Sequence, residues 1–400
     1  MSAALESVRV LEVGSLIAGP FAGRLMADFG AEVIKIEAPG RPDQLRGWGN
    51  GEYQGRKLFW PVLARGKRCV TLDLRTPRGQ ELMLNLVRES DVLIENLRPG
   101  TLEQWNLGYA ELAEANPGII LARVSGYGQT GPLAGRAGFA SVAEAVGGLR
   151  HLNGFEDRPP PRLGVSLGDS LAAMFALQGV LLALVWRAGA GEGRGQVVDV
   201  ALTEACFAML ESIVPEYDLL GLERGPAGTT LAGIVPSNIF RSADERWVII
   251  SANVDNVFRR LTGVLGRPEL ADDPRFATHA ARAENQEAIE ELISDWAAER
   301  TATEIDRELG DAGVPVGVVA TVADIFEDPQ FAARDMLVEV EDEEIGRYRT
   351  PGVVPKLSAS PGQVGWSGRA QPGADNQQVY GELLRMTEAE LDELRSEGVV

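Results

Sequence analysis

Short apolar strands alternate with longer helical patterns over the first half of the chain. Val8–Val13 is β-branched and partly alternating, as a buried strand should be. Gly14-Ser15-Leu16-Ile17-Ala18-Gly19-Pro20 follows as a tight loop. Pro20 suits a first helical turn, and that helix runs through Leu25-Met26-Ala27 and stops near Gly30. Glu32–Glu37 is a second strand, closed by Pro39-Gly40. Strand pattern returns at Arg68–Leu74, Asp91–Asn96, Ile119–Val124 and Gln196–Leu202. Helices are expected from Thr76-Pro77 through Val87, around Thr101–Trp105 and Ala110–Ala115, and from Thr203 to Met209. The apolar run Leu171–Trp186 is expected to be a buried core helix. This rhythm predicts an α/β fold with a mostly parallel sheet and helices on both faces.

Beyond a glycine-rich stretch the texture changes. Ser237–Arg241 and Trp247–Ser251 flank a polar turn and predict a hairpin. Helical patterns follow at about 255–265, 284–299 and 302–310, then a strand-rich segment at 337–357 and a last helix at 387–397. The expected organisation is a large domain over residues 1–220, a linker at 221–235, a smaller α+β domain at 236–328, and a linker and tail at 329–400. A chain of 400 residues is longer than one core normally holds.

Charge narrows the functions. The formal net charge is −20, which argues against nucleic acid and anionic membrane as partners. An anionic ligand would need local arginines and backbone N–H groups. Cys69 and Cys206 are too few for a disulfide framework and are not spaced as a metal pair. His151 and His279 sit in no recognisable motif, so no metal site is expected. The start of the chain lacks a basic-then-apolar signal pattern, and the Leu171–Trp186 run is short for a bilayer; a cytoplasmic location is the simplest expectation.

In parallel sheets ligands bind beyond the strand C-termini. The loops expected there are Ser15–Pro20, Leu74-Arg75, Asn96–Gly100 and Ser125–Pro132. The first loop is not G-x-G-x-x-G, which argues against a nicotinamide cofactor. Arg75 and Arg98, beside apolar Leu72 and Leu97, suit a ligand with charged and apolar parts, such as an adenine nucleotide carrying a pantetheine arm; each is otherwise a solvated surface residue. Residues 40–65 lack periodicity and are either functional or a surface loop anchored by Trp48, Phe59 and Trp60. Asp169, between Gly168 and Ser170, falls where a helix N-cap should be. It is either a cap or a carboxylate that small neighbours leave open to substrate.

Val10-Leu11-Glu12 through Ala18-Gly19-Pro20, Gly30–Glu37, Lys67-Arg68 to Leu72-Asp73, Glu95–Gly100, Ser125–Gly128, Gly168-Asp169, Gly193–Gln196 and Gly398-Val399-Val400 together resemble the family III coenzyme A transferases, the CaiB/BaiF family. The resemblance implies a Rossmann-like large domain completed by the C-terminal tail, a small domain on long linkers, and two chains interlocked as a homodimer. It implies Asp169 as nucleophile, attacking an acyl-CoA thioester to give an acyl-aspartyl anhydride and then an aspartyl-CoA thioester, from which CoA passes to a carboxylic acid acceptor. By position it implies Leu16, Ala18, Leu72, Arg75, Asn96, Leu97 and Arg98 as CoA contacts, with Arg136 also facing the phosphates, and an acyl pocket formed by Ile17, Trp48 and Phe139. CoA thioester would be a substrate, and no permanently bound cofactor or metal is implied.

Formyl-CoA transferases carry Gln where this chain has Ile17, and Tyr where it has Phe59 and Phe139. They also have a glycine-run loop that nothing between Gly221 and Asn238 reproduces. The Gly126–Pro132 run and Ile234-Val235-Pro236 are closer to succinyl-CoA-dependent transferases of dicarboxylic or branched acids. One rival is the α-methylacyl-CoA racemase branch, which needs two proton-transfer groups, one of them a His; here Phe139 stands at that place. The other rival is a catalytically silent CoA-binding subunit, against which the presence of Asp169 argues.

Overall fold

Six strands form the sheet that carries the site: β1 (Arg9–Glu12), β2 (Glu32–Glu37), β3 (Lys67–Thr71), β4 (Val92–Glu95), β5 (Ile120–Ser125) and β6 (Val197–Ala201). They lie in the order 3-2-1-4-5-6, and every neighbouring pair is parallel. The structure, a computed structural model, describes residues 2–400. The chain divides into two compact units, Met1–Arg150 with Arg162–Gly221 and Gln330–Val400, and His151–Pro161 with Leu222–Pro329.

Alternation along the strands builds two cores. Val10, Val33, Val92, Ile94, Ile120 and Ala122 lie on one face of the sheet, covered in part by helix α1 (Ala18–Asp28). Leu11, Ile34, Val70, Leu93 and Leu121 face α2 (Pro77–Arg88) and, from the end of the chain, Val379, Tyr380, Leu391 and Leu394. Thr76 caps α2 as its sequence predicts, accepting the Gly79 N–H at 3.0 Å with Pro77 in the first turn.

Past β5 the chain forms α3 (Ala140–Val146), α4 (Leu167–Ala188), α5 (Leu202–Phe207) and α6 (Ile213–Leu220). The pattern predicts α4 as a buried core helix, and the structure corrects this. One fully buried stripe, Ala172, Ala173, Ala176, Val180 and Ala183, packs on the sheet, with Leu171, Phe175, Leu177 and Leu184 partly buried against the same core. The opposite face exposes Met174, Leu182, Val185 and Trp186, with Leu182 63% accessible. Small residues let the helix lie close to the sheet, while several of the large ones point away from it. By length and composition α4 is the one helix among the described residues long and apolar enough to cross a membrane.

In the second unit Ser237–Arg241 and Trp247–Ser251 pair antiparallel, as expected, and Val316–Val318 adds a third antiparallel strand. That strand is three residues long with Gly317 at its centre, too short to show a period. Helices Asp255–Val264, Gln286–Ala298 and Ala302–Asp311 supply Phe258, Ile289, Ile293 and Ile305 to its core. Residues 151–161 belong with this unit, Gly228 donating its N–H to the Gly154 carbonyl at 2.8 Å.

Candidate functional site

The loop after β1 is held from below by buried charge. Glu12, Lys35 and Lys67 stand on three adjacent strands and are almost fully buried. Lys67 bonds Glu12 at 2.7 Å and the Pro20 carbonyl at 2.6 Å. Lys35 reaches Asp43 at 2.8 Å and Glu12 at 3.2 Å, and donates to the Gly14 carbonyl. Asp43 in turn accepts the N–H groups of Leu16 and Leu45 at 3.0 and 2.9 Å. Burial opposes the Lys35 charge, but Asp43 and Glu12 outweigh it and hold the ammonium above its ordinary value.

Asn96 clamps the same loop from the side. Its Oδ1 accepts the Ser15 N–H at 2.7 Å and its Nδ2 donates to the Ser15 carbonyl at 2.8 Å. A Cβ on Gly14 would come within 2.7 Å of that oxygen, so glycine is required there. Leu16, gripped by Asp43, sits at φ 64°, a backbone region that costs a non-glycine residue about 1 kcal/mol or more. The first N–H groups of α1 are thereby turned to the sheet's C-terminal rim.

Two adjoining hollows of 260 and 340 Å³ run along that rim and share Ser15, Gln44 and Leu97. The first holds Leu72 and Arg75. The second brings Leu16, Ile17, Ala18, Trp48, Asn96, Leu97, Arg98, Arg136, Phe139 and Asp169 together. Neither histidine lines either one. Arg75 lies back on Asp73 through two bonds of 2.8 and 2.5 Å, and this hydrogen bonding holds the Asp73 carboxyl below its ordinary value. Arg98 and Arg136 are exposed and make no ion pair among the described residues; Arg136 lies 5.9 Å from the Tyr127 ring centroid.

Sequence reasoning missed Arg41, which lines the first hollow beside Arg75. A signal was there. Pro39-Gly40-Arg41 closes β2 as Arg98-Pro99-Gly100 closes β4, and both glycines take positive φ, 67° and 86°. Each turn sets a guanidinium at the end of a parallel strand.

Asp169 is not the cap of α4. Ser166 holds the N-cap position without a side-chain bond, and Asp169 is the third helical residue. The capping role passes to a distant carboxylate: Glu144 of α3 accepts the Gly168 N–H at 3.3 Å and pairs with Arg150 at 2.7 Å. Gly168 lets α4 approach α3, since a Cβ there would lie 3.1 Å from the Ala140 carbonyl. Burial, and next to it the Glu144 charge, push the Asp169 carboxyl up to about 6, against the pull of Arg162. Burial also raises the Cys206 thiol to about 11, with Glu144 and Asp169 adding to the shift.

The rim thus offers a partly buried carboxylate, free helix N–H groups and several guanidinium groups along an extended cleft. The model of CoA-transferase family III matches residues 5–376 of this chain. The chain belongs to CoA-transferase family III. It is 50% identical to a succinyl-CoA–D-citramalate CoA-transferase of Chloroflexus aurantiacus over 99% of this chain and 98% of that one. It is 40% identical to the succinyl-CoA–L-malate CoA-transferase alpha subunit of the same organism, over 99% and 92%. A CaiB/BaiF family protein from Brucella suis superposes with a TM-score of 0.82 at 32% identity, over 96% of this chain and all of that one. The chain is therefore a CoA-transferase of mixed α/β fold with a central parallel sheet.

In this family III CoA-transferase a further hollow, of 850 Å³, lies next to the cleft. Ile17 and Trp48 line both. Phe21, Leu58, Phe59, Val62, Leu163 and Val165 make the rest mostly apolar, with Arg24 and Arg162 among them. Of the three residues expected to form an acyl pocket, Phe139 lines the cleft alone. Phe59 and Trp60 resolve the open question over residues 40–65 in different ways: Trp60 is buried and anchors the segment, and Phe59 lines this hollow.

Proposed function

We propose that this enzyme transfers CoA from succinyl-CoA, or a similar dicarboxylic acyl-CoA, to a carboxylic acid acceptor, with Asp169 as nucleophile. The observation that carries the reading is Asp169 in the same cleft as the glycine-bounded loop and Arg98. The relatives act on succinyl-CoA with dicarboxylic acceptors, which supports the donor class. An Asp169 oxygen attacks the thioester carbonyl and expels CoA thiolate, leaving an anhydride. The thiolate returns to the aspartyl carbonyl and releases the donor acid. The acceptor carboxylate attacks the aspartyl thioester, and thiolate attack on the new acyl carbonyl frees Asp169. Each step exchanges one acyl bond for another, so the thioester energy is conserved. The Gly168 N–H is engaged by Glu144. The oxyanion donors in this reading are the N–H groups of Ile17 and Ala18.

In the same reading CoA lies along the cleft past Leu16, Ala18, Asn96 and Leu97 towards Leu72. Arg41, Arg75, Arg98 and Arg136 meet its phosphates. The strand order is that of the Rossmann-like dinucleotide folds, and the ligand sits at their rim. Incubation with succinyl-CoA followed by hydroxylamine should convert Asp169 to its hydroxamate, located by peptide mass spectrometry. Modification elsewhere, or none, would remove Asp169 from the mechanism.

Attack requires the ionised carboxylate. Rate should therefore rise with pH through about 6, the value to which Asp169 is pushed. Glu144→Gln keeps an acceptor for the Gly168 N–H and removes the like charge, so the acid limb should move to lower pH. A pH–rate profile of the two proteins checks this, and an unmoved limb would mean that Glu144 does not act on Asp169.

The working unit in this reading is a homodimer, interlocked as the resemblance implies. The exposed apolar faces of α4 and α6, including Leu182, Val185, Tyr217 and Leu219, form the kind of patch a second copy covers. Light scattering should give twice the 42.9 kDa chain mass. A stable monomer with full activity would rule the dimer out.

A further inference from the structure

The 850 Å³ hollow beside the cleft is mostly apolar, yet its charged groups are all of one sign. Arg24 and Arg162 line it, and no Asp or Glu does, in a chain with 58 acidic and 38 basic residues. Arg24 is nearly buried, lies over the Phe21 ring at 5.4 Å, and reaches Asp28 only at 3.5 Å, with its Nε unmatched by any hydrogen bond. Arg162 is exposed and has no ion-pair partner among the described residues, and its charge reaches the Asp169 carboxyl. The segment Leu163-Gly164-Val165-Ser166 that follows it forms one wall of the hollow and leads directly into α4. Ile17 and Trp48 join the hollow to the cleft that holds Asp169.

We propose that Arg162, backed by Arg24, is the subsite for the distal carboxylate of a dicarboxylic acyl group whose proximal carbonyl is bonded to Asp169. This rests on the reading of Asp169 as nucleophile and goes on to name the feature that selects the acid. In a four-carbon diacid the two carboxyl carbons are three C–C bonds of about 1.5 Å apart, so an extended chain puts its far carboxylate about 4 Å beyond the thioester carbon. The apolar wall receives the methylene groups and the guanidinium receives the anion in a charge-assisted pair. A monocarboxylic acyl group of the same length would leave Arg162 unpaired. Donor and acceptor acids occupy Asp169 in turn, so one subsite selects both.

Arg162 also acts on Asp169, so turnover alone would mix selectivity with nucleophile ionisation. Binding to the full-length Asp169→Asn protein separates them. Calorimetry should show succinyl-CoA binding more tightly than butyryl-CoA. Adding Arg162→Gln should weaken succinyl-CoA by about 10- to 100-fold, with butyryl-CoA moving far less. Arg162→Lys should recover part of the loss. Equal binding of the two thioesters to Asp169→Asn, or an equal change for both in Arg162→Gln, would overturn the subsite while leaving the transferase reading intact. Failure of Asp169→Asn to bind either thioester, with circular dichroism showing it folded, would defeat the site reading itself and the subsite with it.

Discussion

Asp169→Asn is expected to lose CoA transfer by about four orders of magnitude or more and, at the same time, to be more stable than the parent enzyme at neutral pH. The two effects have one origin. Burial and the Glu144 carboxylate hold Asp169 near 6 instead of the ordinary 3.8. Between those values the folded protein binds a proton that the unfolded chain does not, so stability from this group falls as pH rises and is lowest above 6. Asn carries no charge there. Relief of the penalty is on the order of 2 kcal/mol, measurable as a higher urea midpoint at pH 7.5 that converges with the parent below pH 4. Retained turnover in Asp169→Asn would refute the covalent mechanism. Lost turnover with a lowered midpoint would mean instead that Asp169 is structural. Asp169→Ala should match it in activity.

The sheet was readable from local pattern because its strands are buried on both faces, so Val, Ile and Leu dominate them wherever they lie. Asp169 was located as a residue, but its place in the helix was not. An Asp between Gly168 and Ser170 has the local signature of a cap, whereas in the structure the Gly168 N–H is taken by Glu144, 24 positions before that glycine. No window of sequence contains that partner. The same non-locality hid the charges below the loop. Lys35 and Glu37 alternate with Ile34 and Ile36 as a solvent-facing row would, yet Lys35 is 1% exposed. Pairing in register with β1 sets it against Glu12, which Lys67, placed opposite Val33 on β3, also reaches, and only the sheet order reveals the match. The apolar face of α4 misled in the opposite direction. Mean composition cannot distinguish a helix buried all round within its own unit from one whose outer face stays exposed there. The family motifs located the cleft because they mark strand ends, but Arg41 fell between them.

Lys35→Met should destabilise the enzyme by about 3–5 kcal/mol, a larger effect than most single substitutions in a sheet of this kind. Glu12, Asp43, Lys35 and Lys67 form a buried cluster with two charges of each sign. Deleting Lys35 leaves two carboxylates facing one ammonium out of water, whereas the Met side chain fills similar volume. Asp43→Asn removes the opposite charge but keeps an oxygen for the Leu16 and Leu45 N–H groups. Combined with Lys35→Met, it restores charge balance around Glu12 and Lys67. The double variant should therefore be more stable than Lys35→Met alone, with a coupling of about 2 kcal/mol or more in urea denaturation at fixed chain concentration. Activity should follow a different course. Lys35 also holds the Gly14 carbonyl, and no side chain in the double variant replaces that bond. The loop that carries Leu16 at positive φ would then lose one of its three anchors, Lys35, Asp43 and Asn96. Turnover in the stabilised double variant should stay depressed, with kcat falling more than KM rises, because the donors for the oxyanion move while the cleft remains. Recovery of both stability and kcat together would show that the cluster supports the fold and nothing more.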